Sequence, residues 1–381
     1  MKFLHTSDLH IGKRLHEKSL FEDQEYILKQ IVEIAKAQRV DAVLISGDVY
    51  DKSIPQAEST ILFDNFVTDL ASLKIKVFMI SGNHDSAQRL DFMSSLLKSQ
   101  NVYFCGSFKG KLECIELSDE FGKINVYMLP FIKPSNVRVY AKDQEIKDYE
   151  DAVQYVTNEA NIDESERNII LSHQFITGST TDGSEEIIVG GLDNISSNVY
   201  SQFDYVALGH IHRSQSVGRD VIRYSGTPLK YSFSEVAHKK SVTIVELLAK
   251  GNVNISVEEL TPLRDMRCLK GSYEEIMKLE NYQGTKLDDF IKVTLTNEND
   301  ITDAILKIRT VYPNILVLEY DNKRTRAVSD FSAIATDKIE SPLEMFENLY
   351  KTQFDDDLND KQVEIMNGLI EQIWRGNDET Y

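Results

Sequence analysis

The chain has 381 residues, a formal net charge of −19, 41% apolar residues and three cysteines. This length exceeds that of a usual single core, so a main domain with smaller additions is expected. No apolar run approaches the ~20 residues that a membrane-spanning helix needs, which argues against a membrane protein. The three cysteines form no Cys-x-x-Cys pair, so the sequence predicts a cytoplasmic location and no thiolate metal site.

The acidic balance bears on nucleic-acid binding. Neutralisation of phosphates dominates the affinity of DNA-binding proteins, which are therefore usually basic. A net charge of −19 argues against DNA binding by this chain alone. Two features would reconcile it with DNA: carboxylates whose local sign is inverted by bound divalent cations, or a basic partner.

The first part of the chain alternates strands and helices. Residues 2–6 predict a strand, and Ile27, Ile31 and Ile34 then repeat at helical spacing. The next predicted elements are a strand at 40–45, a helix at about 61–73 and a strand at 76–80. Such alternation predicts helices on the faces of a largely parallel sheet, with ligand chemistry at the carboxyl ends of its strands.

Strands dominate the next part of the chain. They are predicted at 124–129, 169–172, 205–208, 221–224, 242–247 and 253–260. We expect a second sheet packed on the first, so that residues 1–260 form a four-layer α/β/β/α sandwich. Residues 261–321 follow the order strand, helix, strand, helix, strand, which predicts a small α+β domain.

The C-terminal part is predicted to be a helical pair. Residues 322–340 are polar and weakly patterned, which indicates a linker. Ser341 to Glu344 form a capping box with proline at the first helical position, so 341–381 should be helical. A second helix after Asp360 has one apolar stripe, formed by Val363, Met366, Ile370, Ile373 and Trp374. An exposed stripe of this kind predicts a partner-binding surface.

Five segments place Asp, Asn or His directly after a predicted strand. They are Asp8-Leu9-His10, Gly47-Asp48, Gly82-Asn83-His84-Asp85, Ser172-His173 and Gly209-His210-Ile211-His212. Two ligands at i and i+2 converge on one ion where the backbone leaves the pleat, and the glycines permit a sharp turn close to a metal. Any one segment alone is also explained as an ordinary turn or cap. Their joint occurrence after strands favours a metal centre.

The chemistry of this set indicates two ions. Oxygen and nitrogen donors without cysteine favour Mn²⁺, Fe or Zn²⁺ over a closed structural zinc site. Seven donors are too many for one ion and suit two ions that share a carboxylate. Two such ions serve phosphoryl transfer. His5, His16 and His238 lack a partner motif, and we expect them to be structural or surface residues.

These segments resemble the calcineurin-like metallophosphoesterase family, whose pattern runs D-x-H, G-D, G-N-H-D/E, H and G-H-x-H. That match covers about the first 260 residues. The sequences around Asp8, Asp48 and Asn83, together with the loop Ser225-Gly226-Thr227-Pro228, resemble the SbcD-type nuclease subunits of bacteria within that family. This second resemblance extends over essentially the whole chain.

The resemblance implies roles for individual residues. Asp8, His10, Asp48 and His212 would hold one metal ion, and Asp48, Asn83, His173 and His210 the other, with Mn²⁺ as the expected ion. His84 would stand beside the scissile phosphate as an acid or transition-state stabiliser, and Asp85 would orient it. Asp51 stands near a position where other relatives carry a histidine, so it receives no role.

The resemblance also implies an activity and partners. The expected enzyme is a double-strand exonuclease and a single-strand and hairpin endonuclease in DNA repair, recombination and replication. It would be a homodimer bound to two copies of an SbcC-type ATPase, with 261–321 capping the DNA and 341–381 binding the ATPase. Two alternatives remain at this point: a phosphatase or cyclic-nucleotide phosphodiesterase acting on small molecules, and a non-enzymatic scaffold with a degenerate fold.

Overall fold

The computed structural model describes residues 1–185, 194–323, 325, 343, 346–347, 350–351, 356–359, 361–363, 365–367 and 369. The described residues as far as Tyr320 form one compact unit, and those from Asp321 onward belong to a second unit. Within these residues, no helix combines the length and the apolar character required to cross a membrane.

The first sheet has parallel strands at its centre. Its order is Val253–Glu259, Ser241–Leu247, Lys2–Thr6, Ala42–Ser46, Lys76–Ile80 and Val102–Cys105. The last four strands are parallel, and the first two pair antiparallel at the other edge. Helices Phe21–Ala37 and Ala57–Ser72 connect the parallel strands, as their apolar spacing predicted.

The second sheet also has six strands, four of them parallel. Its order is Gln215–Val217, Arg219–Tyr224, Tyr205–Gly209, Arg167–His173, Gly122–Leu129 and Glu113–Asp119. The four central strands are parallel, and one antiparallel strand closes each edge. The other α-helices of the two-sheet region are Ala87–Asp91, Ser94–Leu97, Pro134–Arg138 and Tyr149–Glu159.

The two sheets stack because successive residues of their buried strands face opposite sides. In the first strand, Leu4 packs with the two long helices, whereas Phe3 packs against the second sheet. The layer between the sheets also contains Phe78 and Ile169. Helix Tyr149–Glu159 buries its own apolar face. The predicted α/β/β/α sandwich is confirmed.

The small α+β region has its own core. Strands Met266–Gly271, Phe290–Leu295 and Ile315–Tyr320 are parallel, and the helices are Tyr273–Ile276, Leu279–Tyr282 and Ala304–Arg309. Apolar residues of these elements form a separate buried cluster. The order of elements is the predicted one. The region shares one compact unit with the sandwich, so the boundaries 1–260 and 261–321 stay predictions.

The C-terminal part is described only in places. Its described residues in 343–351 and 361–369 are helical. Val363 and Met366 of the predicted stripe are half-buried, whereas Ile365 and Leu369 are exposed. Ile370, Ile373 and Trp374 lie outside the described residues, as do Ser341 and most of the predicted linker.

Candidate metal centre

The predicted metal ligands meet where the parallel strands of both sheets end. Asp8, Asp48 and Asn83 follow three adjacent strands of the first sheet, and His173 and His210 stand at the ends of two paired strands of the second. Since parallel strands end at the same edge, residues distant in sequence converge there.

The backbone leaves the pleat at this edge. Asp8, His10, Asp48 and His210 have φ angles of 52°, 43°, 49° and 100° in the left-handed region. Residues other than glycine adopt that region at a cost of about 1–3 kcal/mol each, and such residues cluster at functional sites. Four of the seven predicted ligands therefore have a strained backbone conformation. This conformation turns their side chains toward the predicted metal centre.

Two glycines permit the close approach. A Cβ atom on Gly82 would lie 2.0 Å from Oδ1 of Asp48, and one on Gly47, which has φ +90°, would lie 2.3 Å from Nδ1 of His173. Both distances are far below van der Waals contact. Any side chain at either position would displace a predicted ligand.

Among the residues that the structure describes, three groups of side chains are close enough to hold an ion. In each group the candidate ligand atoms lie within 4.8 Å of one another. The groups are Asp8, His10 and His212; Asp8, Asp48 and His173; and His10, Asp48 and His84. Asp8 and Asp48 each belong to two groups, so the geometry suits two neighbouring ions.

Asn83 connects the remaining histidines. Its Oδ1 atom lies 3.1 Å from Nε2 of His173 and 3.1 Å from Nδ1 of His210. The opposite ring nitrogen of His173, Nδ1, donates to the carbonyl of Ser46 at 2.7 Å, so Nε2 is the nitrogen turned toward the site. A backbone carbonyl in this position fixes the tautomer of a metal-binding histidine.

His10 supplies a direct test of whether the site fits a metal. Its side chain is only 1% exposed, yet neither ring nitrogen has a hydrogen-bond partner among the described residues. Nearly all buried polar atoms are satisfied in folded proteins. Nε2 of His10 lies 3.7 Å from Oδ2 of Asp48. A cation between these two atoms would give the imidazole nitrogen and the carboxylate oxygen a common partner. The residues therefore fit divalent metal ions.

The pKa values of the two buried carboxylates are shifted in opposite directions. Burial, reinforced by the charge of Asp48, raises the pKa of Asp8. Burial also acts to raise the pKa of Asp48, but the positive charge and hydrogen bond of His173 outweigh it and hold that pKa well below its usual value. The ionised form of Asp48 is therefore favoured by its contacts with His173.

The pKa values of the histidines are also shifted in opposite directions. Burial lowers the pKa of His10 well below its usual value and that of His210 to about 3, so both are neutral donors. Burial also acts to lower the pKa of His173, but the Asp48 and Asp8 carboxylates and hydrogen bonds raise it to about 9. A proton on His173 thus provides the positive charge that an ion would replace.

His84 lies at the edge of the cluster. Its Nδ1 donates to the backbone carbonyl of Asp51 at 3.2 Å, and its Nε2 is 3.9 Å from Oδ2 of Asp48. The side chain is 17% exposed, compared with 1% for His10 and 0% for His173. It is thus turned toward the site and open to solvent on one side, which suits a group that meets a substrate.

Asp85 links the loops of the site. It accepts hydrogen bonds from the backbone N–H groups of Val49, Tyr50 and Gly82 at 3.0–3.1 Å. These bonds join the loop that carries His84 to the loop that carries Asp48. Burial raises the pKa of Asp85 to about 6. Asp85 would therefore orient His84 indirectly, through hydrogen bonds that hold the backbone of its loop.

Asp51 touches two of the same groups. Its carboxylate lies 3.8 Å from Nδ1 of His10 and 2.7 Å from the ammonium of Lys13. Its carbonyl receives the hydrogen bond from His84. The position without a predicted role therefore lies beside two functional candidates.

Other contacts of the site were not predicted from the sequence. Nδ1 of His212 lies 3.0 Å from Oγ of Ser184 and 3.5 Å from Oε1 of the buried Glu235. Glu235 in turn receives a hydrogen bond from Lys240 at 2.6 Å. No local pattern marks these residues, because Ser184 and the segment with Glu235 and Lys240 are distant from His212 in sequence.

The three histidines without motifs have other neighbours. His5 contacts the hydroxyls of Tyr205 and Ser46. His16 lies near the ring of Phe233, and His238 pairs with Asp182 at 3.2 Å. These contacts give each of them a structural environment outside the three metal-compatible groups.

Comparison with known proteins gives matches over nearly the whole chain. Residues 1–214 match the family model described as calcineurin-like phosphoesterase, and residues 262–354 match the one described as type 5 capsule protein repressor C-terminal domain. The D subunit of the nuclease SbcCD from Staphylococcus epidermidis is 33% identical over 380 residues, which cover 98% of this chain and 99% of the relative.

Solved structures also match, at lower similarity. A dimetal phosphatase from Danio rerio is 12% identical, with a TM-score of 0.41 over 69% of this chain and 98% of that one. A protein of Thermus thermophilus is 13% identical, with a TM-score of 0.36 over 67% of this chain and 98% of that one.

The geometry of His84 predicts that its substitution separates metal binding from catalysis. His84→Gln should slow phosphodiester hydrolysis by ~10²–10⁴-fold, as for a positioned acid or base, while the protein keeps its metal ions. Asp48→Ala is the comparison: it should lose metal, because both ions would lack a shared ligand. Elemental analysis of both purified variants, with a rate measurement, checks this. Equal metal loss in the two variants would make His84 a ligand instead.

Proposed function

The chain belongs to the calcineurin-like phosphoesterase family, in which it is a metal-dependent phosphodiesterase and a nuclease of the SbcD type, and we propose that it cuts DNA at duplex ends and hairpins. It would act as a double-strand exonuclease and as a single-strand and hairpin endonuclease. The observation that carries this proposal is the convergence of Asp8, Asp48, His173 and their neighbours beside the partly open His84.

We propose two ligand sets that share Asp48, as the resemblance to the family implies, and the closeness of these side chains supports them. Asp8, His10, Asp48 and His212 hold one divalent ion; Asp48, Asn83, His173 and His210 hold the other. We propose Mn²⁺ for both. When bound, two such ions supply an activated water and a clamp on the attacking and leaving oxygens of a phosphate.

The protein's own groups complete this proposal. The hydrogen bond from Nδ1 of His84 to the Asp51 carbonyl orients the ring, and in the proposal its Nε2 faces the phosphate. From there the imidazole donates a proton or hydrogen bond to the charge that develops on the phosphate oxygens. Asp85 keeps His84 in place by holding its loop against the loop of Asp48.

The first experiment tests the substrate. The purified chain is incubated with a hairpin-ended duplex and, separately, with a generic phosphodiester dye, with and without Mn²⁺. We expect Mn²⁺-dependent cutting of the hairpin and no cutting by Asp48→Ala. Hydrolysis of the dye alone would contradict the DNA substrate and favour a small-molecule phosphodiesterase.

We also propose that the C-terminal helices bind an ATPase of the SbcC type, in an assembly with two copies of each chain. The relative from Staphylococcus epidermidis is named as the D subunit of a nuclease called SbcCD, and the similarity covers the C-terminal part of this chain. Ile365 and Leu369 are 55% and 44% exposed and one helical turn apart. Exposed apolar residues at this spacing suit a groove on a partner.

Deletion of residues 340–381 tests the ATPase proposal. The truncated protein should keep its metal ions and its hydrolysis of the dye, because the metal centre lies within the first compact unit. It should lose co-purification with the ATPase and the ATP-dependent cutting of duplex ends. A truncated protein that still co-purifies at full stoichiometry would place the interface elsewhere.

A second proposed contact is with another copy of the chain. A groove of about 1040 Å³ lies beside the metal centre, between helix Ala57–Ser72 and the segment 86–104. Phe63, Val67 and Leu97 line it. Phe92, which also lines it, is 73% exposed, and Leu96, which precedes Leu97, is 66% exposed. Large apolar residues exposed together mark interaction surfaces, and we propose that this one forms the homodimer.

Two matched leucines test the homodimer. Leu96→Asp should convert a dimer to a monomer, because the charge would be buried against apolar groups. Leu306→Asp changes a leucine of similar exposure, 58%, in the small α+β region and should leave the dimer intact. Sedimentation of each variant at several concentrations measures the state. A dimeric Leu96→Asp protein with normal metal content would exclude this surface.

A further inference from the structure

A buried pair of opposite charges lies behind His212. Glu235 has a fully buried side chain, and that of Lys240 is 7% exposed; their charged atoms are 2.6 Å apart. Replacing a buried ion pair by apolar residues of similar size is often neutral or stabilising. The pair therefore calls for an explanation beyond fold stability, and its contacts supply one.

Lys240 is fully occupied by its neighbours. The ammonium group donates to the carbonyl of His212 at 3.0 Å, to Oγ1 of Thr227 at 2.7 Å and to Oε2 of Glu235 at 2.6 Å. An ammonium group has three protons, so none remains for another partner. Thr227 also donates its backbone N–H to the His212 carbonyl at 3.1 Å. Lys240 and Thr227 thus both hold the backbone carbonyl of His212 in place.

Glu235 reaches the ring of the same histidine. While its Oε2 accepts from Lys240, its Oε1 lies 3.5 Å from Nδ1 of His212 and has no hydrogen-bond partner among the described residues. The hydroxyl of Ser184 approaches Nδ1 at 3.0 Å. With Nδ1 facing these oxygens, Nε2 is the nitrogen left for an ion. Carboxylates behind metal-binding histidines hold the ring and its tautomer in this way.

We propose that Glu235 and Lys240 form a clamp that positions His212 as a metal ligand. Lys240 holds the carbonyl of His212, and Glu235 lies behind its imidazole, so one ion pair fixes both the backbone and the ring. The inference rests on the proposed function in one respect, the role of His212 as a ligand. Neither residue touches the ions or the substrate, so both are positioning residues.

A second buried pair offers a matched control. Arg167 and Asp119 are 2% and 12% exposed and form a salt bridge. Arg167 starts the strand that ends at His173. Six residues of extended strand separate its backbone from the site by about 20 Å. Loss of this pair removes a buried ion pair without touching a metal ligand.

The test compares two double variants. Glu235→Gln/Lys240→Met removes both charges of the clamp and keeps the side-chain volumes, so no unpaired charge is buried. Asp119→Asn/Arg167→Met removes both charges of the control pair, and the Met1 ammonium that also contacts Asp119 is partly exposed to solvent. Thermal unfolding establishes that each protein is folded. Titration calorimetry with Mn²⁺ then gives the affinity of each site, and the visible spectrum of the Co²⁺-loaded protein reports ligand geometry.

We expect the clamp variant to bind one of the two ions ~10–100-fold more weakly, as is typical when a partner of a metal-binding histidine is lost. Its Co²⁺ spectrum should change, and the control variant should match the wild type in both measurements. A folded clamp variant with wild-type affinity and spectrum would overturn the proposal. So would an equal loss in the control variant. Retention of both ions by Asp48→Ala would instead overturn the metal centre itself, and the clamp with it.

Discussion

The burial of two neighbouring carboxylates, Asp8 and Asp48, is the constraint on which the metal centre depends. Each is almost completely shielded from water, and burial together with the charge of Asp48 raises the pKa of Asp8. Such a pair needs positive charge close by. In the protein without ions, a proton on His173 supplies part of it, since the pKa of that imidazole is raised to about 9. Bound cations would supply the same positive charge beside the carboxylates. Protons and metal ions therefore compete for binding at this site.

The fold brings these charged side chains close together by holding the ends of the strands rigidly. The strands that lead into Asp8 and Asp48 are buried on both faces, by helices on one side and by the second sheet on the other. Those two cores offset the strain of left-handed residues such as His10 and His210. Only a rigid frame keeps such turns in place, because each would relax if its strand were free to shift.

Much of this organisation could be predicted from the sequence, for a physical reason. Polar residues directly after buried strands are conspicuous, and glycines beside Asp48 and Asn83 mark close approach. The contacts behind the ligands leave no such local signal. Glu235 lies 23 positions after His212, and Asp85 binds backbone groups of a different loop. Hydrogen bonds of this kind depend on tertiary placement, which periodicity and motif spacing do not encode. In the described part of the tail, Ile365 and Leu369 are exposed apolar residues that lie outside the predicted stripe.

The charge of the chain sets a further constraint on how DNA is held. Two divalent ions add four positive charges, and they add them where Asp8 and Asp48 concentrate negative charge. The site can thus attract one phosphate, but a net charge of −19 is reduced only slightly. Screening at physiological salt confines the attraction of the ions to about 8 Å, a few nucleotides at most. A duplex that extends beyond the site meets a surface with excess acidic groups. This net charge opposes binding along the length of a duplex. Positive charge from the proposed ATPase partner would therefore strengthen that binding, in addition to the partner's use of ATP.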